Sequence, residues 1–71
     1  MTEEKAVEVA REVASAEGWT WLEPVRVRRR RRWFGSPFWE IVSNSNARGM
    51  NVRVVVDDAT GRVLEKWFLP R

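Results

Sequence analysis

Ala6, Val9, Ala10, Val13 and Ala14 recur at helical spacing near the start of the chain, and every side chain on that stripe is small. A helix of this kind has little bulk of its own to bury, but it can lie close to a flat surface. The stripe therefore predicts a helix laid across a β-sheet, with the strands supplying the large core side chains. Thr2 is placed to cap the helix, and Glu3 and Glu4 sit where the helix dipole favours negative charge. Glu4, Glu8, Arg11, Glu12 and Ser15 fall on the opposite side, and Gly18 is suited to a left-handed stop.

After Gly18 the periodicity changes to that of strands. Pro24 cannot donate to a ladder, so the first regular strand is expected to start near Val25 and run through the arginines to Phe34. Gly35, Ser36 and Pro37 supply turn chemistry before a second strand, Phe38 to Ser43. Asn44 to Gly49 are turn formers, and a third strand begins at Asn51 with the valines 52, 54, 55 and 56. Asp58, Ala59, Thr60 and Gly61 read as a type I turn closed by a glycine bulge, with Arg62 to Leu69 returning as the fourth strand. The expected fold is α+β: one N-terminal helix packed on one face of a four-stranded antiparallel β-meander, a single domain over residues 1–71.

Composition narrows the chemistry. The 71 residues contain no Cys, His or Tyr, which removes disulfides, thiolate and imidazole metal sites, and every nucleophile that depends on a histidine base. Ser36, Ser43 and Ser45 have no such partner, and Asp57 and Asp58 are adjacent on a strand end, where neighbouring side chains point apart. Their turn role outweighs a metal or acid–base role. No enzyme, cofactor or metal site is expected. No apolar run reaches the roughly 20 residues of a membrane helix, and the first residues lack the basic-then-apolar pattern of a signal peptide. The chain reads as cytoplasmic if complete, and as extracytoplasmic if it is a domain cut from a longer precursor.

The net charge of +3 hides an asymmetry. Residues 1–18 carry −3, residues 19–56 carry +6, and residues 57–71 balance. Eleven of the thirteen cations are Arg, whose planar fork suits carboxylate, phosphate or an aromatic ring.

The third hairpin carries a family resemblance. Val56-Asp57-Asp58-Ala59-Thr60-Gly61-Arg62-Val63-Leu64 resembles the ending of PepSY domains, in which a valine-rich strand meets an Asp-x-x-Thr-Gly turn and a returning Val-Leu strand. The helix from Thr2 to Ala16, and Trp39-Glu40-Ile41-Val42 as an aromatic-Glu-Val strand, are similar to the rest of the family pattern. The resemblance implies a small inhibitory or regulatory module, often extracytoplasmic and found in propeptides of some metalloproteases. The Arg28 to Arg32 run is not part of that pattern, and no signal peptide accompanies it.

That run is the sharpest candidate site. On a strand, Arg26, Arg28, Arg30 and Arg32 share one face, and Val25, Val27, Arg29, Arg31 and Trp33 share the other. One reading is structural: alternate arginines stack on neighbouring Trp and Phe as a cation–π ladder and protect the sheet from aggregation. The other is a basic, aromatic open face for nucleic acid. The structural reading is preferred, because motifs of RNA-binding sheets are absent. The five Trp are expected mainly in the core or the ladder, with Trp19 and Trp21 sealing the helix end. Loop Asn44 to Asn51 with Arg48 offers partner contacts, although Asn and Gly also simply make turns.

The functional expectation is a small non-enzymatic binding or regulatory module. It would use Arg28, Arg30, Arg32, Trp39 and Arg53 on the sheet face to hold an acidic protein partner, or a second copy as a homodimer. Nucleic acid binding through the same residues is the alternative, and protease inhibition is what the resemblance implies. The buried face of the last strand stays open, since Val63, Glu65, Trp67 and Leu69 compete with Leu64, Lys66 and Phe68.

Overall fold

The computed structural model describes residues 1–31 and 35–70. Helix α1 covers Glu3–Glu17 and is followed by strands β1 Arg26–Arg30, β2 Phe38–Val42, β3 Asn51–Asp57 and β4 Val63–Leu69. The strands form one antiparallel sheet in chain order, β1-β2-β3-β4, with the helix against β2 and β3. This is the α+β helix-on-meander arrangement that the periodicities predict.

Both helix ends follow from local chemistry. Thr2 is extended, and its Oγ1 accepts a hydrogen bond from the Lys5 N–H at 3.1 Å. Gly18 takes a left-handed conformation, φ 74°, and its N–H reaches the carbonyls of Ala14 and Ser15. A Cβ there would meet nothing within 4 Å, so backbone conformation alone selects glycine. Trp19 N–H also donates to Ala14 O at 2.8 Å, which turns the chain sharply towards the sheet.

The core lies between α1 and one face of the sheet. Ala6, Ala10 and Ala14 are fully buried against Trp39, Ile41, Val52, Val54 and Val56. The small helical stripe and the bulky strands are complementary, as expected. Burying each of the larger side chains contributes roughly 1.5–3 kcal/mol. Trp19 stacks on Phe68 with ring centroids 5.7 Å apart, and Trp21, under Arg11 of the helix, also packs against the core.

β1 ends earlier than the arginine run suggests, at Arg30. The expected continuation through Arg32, Trp33 and Phe34 lies outside the described residues. The start of β1 is held by the long loop before β3. Asn44 N–H donates to Leu22 O at 2.8 Å, and Ser45 N–H donates to Pro24 O at 3.0 Å. That loop is organised by one side chain. The Asn51 Nδ2 donates to Ser43 O and Asn44 O, each at 2.9 Å, while its Oδ1 accepts from Gly49 N–H at 2.8 Å. Asn44 adds a bond from its Nδ2 to Gly49 O. The asparagines therefore serve the turn.

The last hairpin also forms as expected. Gly61 has φ 74°, Asp57 Oδ2 accepts from both the N–H and the hydroxyl of Thr60, and Gly61 N–H donates to Asp57 O. A second irregularity decides the orientation of β4. Val55 pairs with Glu65 but Val56 pairs with Val63, so Leu64 is an extra residue on β4. Val63 and Phe68 thereby both reach the core, and Lys66 meets Glu17 of the helix at 2.6 Å.

Candidate partner-binding face

The register sorts the side chains of the sheet into two faces, because antiparallel partners point the same way. On the face away from the helix, Arg26, Val42, Arg53 and Trp67 form one cross-strand row. Arg28, Glu40, Val55 and Glu65 form the next, followed by Arg30, Phe38 and Asp57. Arg28, Arg30 and Arg53 thus lie together on the open face, as the period of two implies. Arg32 lies outside the described residues.

Trp39 is a correction. It pairs with Arg29 and Val56, on the helix face, and is only 9% exposed. Its indole N–H donates to Asp58 Oδ1 at 2.6 Å, and Arg29 approaches the other oxygen of that carboxylate at 3.3 Å. Sequence alternation held the clue. Trp39 shares parity with Ile41, while Glu40 must lie on the opposite side. Trp67 is the residue that sequence reasoning missed. It is 55% exposed on the open face, directly across from Arg53. Its orientation depends on the extra residue at Leu64, for which no residue type in β4 gives a signal.

The arginines of the open face meet carboxylates, where a ring-stacked ladder was expected. Glu40 Oε2 accepts from Arg53 Nε at 3.1 Å and Nη2 at 2.9 Å, and Glu40 Oε1 lies 3.4 Å from Arg30 Nε. Arg53 Nη1 reaches Glu65 Oε1 at 3.6 Å. The chain Arg30–Glu40–Arg53–Glu65 therefore spans all four strands. Beneath it, Val55 is 1% exposed although it is on the face away from the helix. Among the described residues, the cation–π contact is off the sheet, with Arg11 over Trp21 at 5.8 Å.

Burial works to raise the Glu40 pKa, but the hydrogen bonds and charge of Arg53, with those of Arg30, hold it below the ordinary glutamate value. The Asp58 carboxyl is also held low, chiefly by the Trp39 indole N–H, against some desolvation and with help from Arg29. A lowered folded-state pKa means that the unfolded chain binds protons more readily in this range. The stabilisation is complete above the unfolded carboxylate pKa values and is lost as pH falls through the lower folded ones. Glu40→Gln is expected to cost about 1 kcal/mol at neutral pH and to flatten part of the acid loss. Urea titrations at neutral and acid pH check this. An unchanged acid slope in the variant would show that Glu40 is not a source of it.

The internal pairing leaves a definite remainder. No ion pair among the described residues involves Arg26 or Arg28, and both are exposed. Beside them a shallow groove runs over Val42, bounded by Arg26, Arg53, Trp67, Leu69 and Ser45 of the loop. Arg26 and Arg53 flank Val42 on either side, Trp67 and Leu69 lie towards the β4 edge, and the Glu40 carboxylate, paired with Arg53, is also in the lining. No described helix is long and apolar enough to cross a membrane. No protein-family model, curated protein or solved structure matches the chain.

Proposed function

We propose that the protein is a small non-enzymatic binding module whose open sheet face holds an acidic segment of a partner protein. Carboxylates of that segment pair with Arg26 and Arg28, and an apolar side chain rests in the groove that Val42 and Trp67 help to line. The observation that carries this reading is an open face on which Arg26 and Arg28 of β1, in no ion pair among the described residues, lie at one edge, with Val42 and the exposed Trp67 of β4 in the same cross-strand row as Arg26. Their neighbours Arg30 and Arg53 are already committed to Glu40 and Glu65. The same arrangement disfavours nucleic acid. Glu40 and Glu65 lie along the path of any phosphate backbone, and a stacking platform calls for successive aromatic rings. On the described open face Trp67 is the ring with large exposure.

Isothermal titration calorimetry with a synthetic peptide of alternating Glu and Leu tests the proposal, with a single-stranded DNA oligonucleotide as competitor. The peptide should bind. The Arg26→Glu, Arg28→Glu double variant should weaken it about tenfold, consistent with two exposed charge pairs of up to about 1 kcal/mol each. Tighter binding of the oligonucleotide, or peptide affinity indifferent to the double variant, would overturn it.

A further inference from the structure

The two edges of the sheet are treated differently. β1 carries arginines at four of its five positions, a common way of keeping an edge from pairing with other strands. β4 is guarded more lightly, by the bulge at Leu64 and the charges of Glu65 and Lys66. Leu64, Trp67 and Leu69 are all exposed there, and the one cation of the strand, Lys66, is drawn to Glu17 over the helix side. Past the bulge, the five residues Glu65 to Leu69 leave a regular edge with Trp67 and Leu69 exposed, which suits pairing with another strand.

The hydrogen-bonding phase shows which backbone groups are available. Ser43 N–H donates to Val52 O, and the Ser43 hydroxyl accepts from Val52 N–H, so the backbone groups of Val52 are turned towards β2. Val52 therefore faces Phe68 across β3 and β4 as a non-hydrogen-bonded pair. The N–H and C=O of Phe68, and by alternation those of Lys66, point outward from the edge. Those of Glu65, Trp67 and Leu69 point back to β3.

We propose that β4 pairs antiparallel with β4 of a second copy of this chain, about a two-fold axis at Trp67, to give one continuous eight-stranded sheet. The register follows from charge. An axis at Lys66 would set two lysines opposite each other, and an axis at Glu65 would do the same with two glutamates. An axis at Phe68 would place Pro70, which has no N–H, against Lys66 in a hydrogen-bonded pair. Of these four axes, the one at Trp67 sets no like charges opposite each other and leaves Pro70 beyond the end of β4, opposite Leu64 of the bulge. It sets Lys66 against Phe68 of the second copy in hydrogen-bonded pairs, and Glu65 against Leu69. The two Trp67 rings meet at the close, non-hydrogen-bonded position, where cross-strand aromatic pairs contribute most. The contact is isologous and closes at two subunits. Both basic faces end up on the same side of the joined sheet.

Analytical ultracentrifugation across a concentration series, at low and high salt, tests this. A dimer that persists at high salt is expected, since the contact is made by backbone hydrogen bonds and apolar rings. Trp67→Lys sets like charges at the axis and should raise the dissociation constant at least tenfold. Lys66→Pro removes an outward N–H that the monomer does not use, and should do the same. Circular dichroism should confirm that both variants remain folded. Hydrogen exchange of the parent protein, which needs no variant, should show protected Lys66 and Phe68 amides. A monomer at every concentration, a dimer that dissolves in salt, or rapid exchange of those two amides would overturn the proposal. None of these readouts depends on whether Arg26 and Arg28 bind an acidic peptide.

Discussion

Trp39→Ala is expected to leave the domain largely unfolded at room temperature. Truncating a buried Trp costs about 3–5 kcal/mol, and a core in a chain this short rarely supplies more than about 3–5 kcal/mol in total. Trp39 is 9% exposed and packs in the cluster with Ile41, Val54, Val56 and the alanines of α1. The substitution also takes the indole N–H from Asp58, leaving that carboxylate with Arg29 and the N-terminal ammonium of Met1. Trp39→Phe separates the two losses, because it keeps most of the ring and removes only the hydrogen bond, at about 1 kcal/mol. Far-ultraviolet circular dichroism and urea titration read both variants. If Trp39→Ala folds as stably as the parent, the tryptophan is not part of the core and the register assigned to β1 and β2 is wrong.

Ala10→Leu is the second large effect, and helix propensity gives no hint of it, since Leu is nearly as good a helix former as Ala. Ala10 is completely buried at the middle of the stripe that faces β2 and β3. Three added carbons there have to displace Ile41, Val54 or the helix itself. Overpacking of this kind costs about 1–3 kcal/mol, occasionally more. A lower urea midpoint is expected, with an unchanged result for Glu8→Leu on the exposed side of the same helix. Equal stability of Ala10→Leu and the parent would mean that α1 does not approach the sheet as closely as its buried alanines imply.

These two substitutions mark the boundary between what sequence and tertiary contacts contribute. Ala10 could be assigned to the interface from spacing alone, because a 3.6-residue repeat has one apolar side. The same was true of Thr2 and Gly18 at the helix ends, and of the turn from Asp57 to Gly61, where local bonds and φ requirements choose the residue type. The alternation of Arg26, Arg28 and Arg30 was also legible. The grouping of Trp39 with them was not sound, because that depends on which residue of β1 meets which residue of β2. Arg29 pairs with Trp39, and a shift of one position would have set Arg28 or Arg30 there.

The arginine run illustrates the same limit for the candidate site. Its bias towards anionic partners was readable, but its partners were not. Glu40 comes from the next strand, and Glu65 lies on the far edge of the sheet, so the network exists only once four strands are in register. The segregation of unneutralised Arg26 and Arg28 from committed Arg30 and Arg53 is likewise a result of pairing. Trp67 depended on still less local information, since one extra residue at Leu64 turned it from the parity of Val63 to the open face.

By itself the sequence determined the elements, their order, the capping and the hairpin chemistry, because each rests on contacts within a few residues along the chain. The absence of Cys and His settled which catalytic groups the chain lacks. The tertiary structure decided the faces: Trp39 inside, Trp67 outside, and Arg26 and Arg28 of β1 in no ion pair among the described residues. The physical reason is the two-residue period of a strand, which makes facing a yes-or-no outcome of register and bulges, set by packing across the sheet.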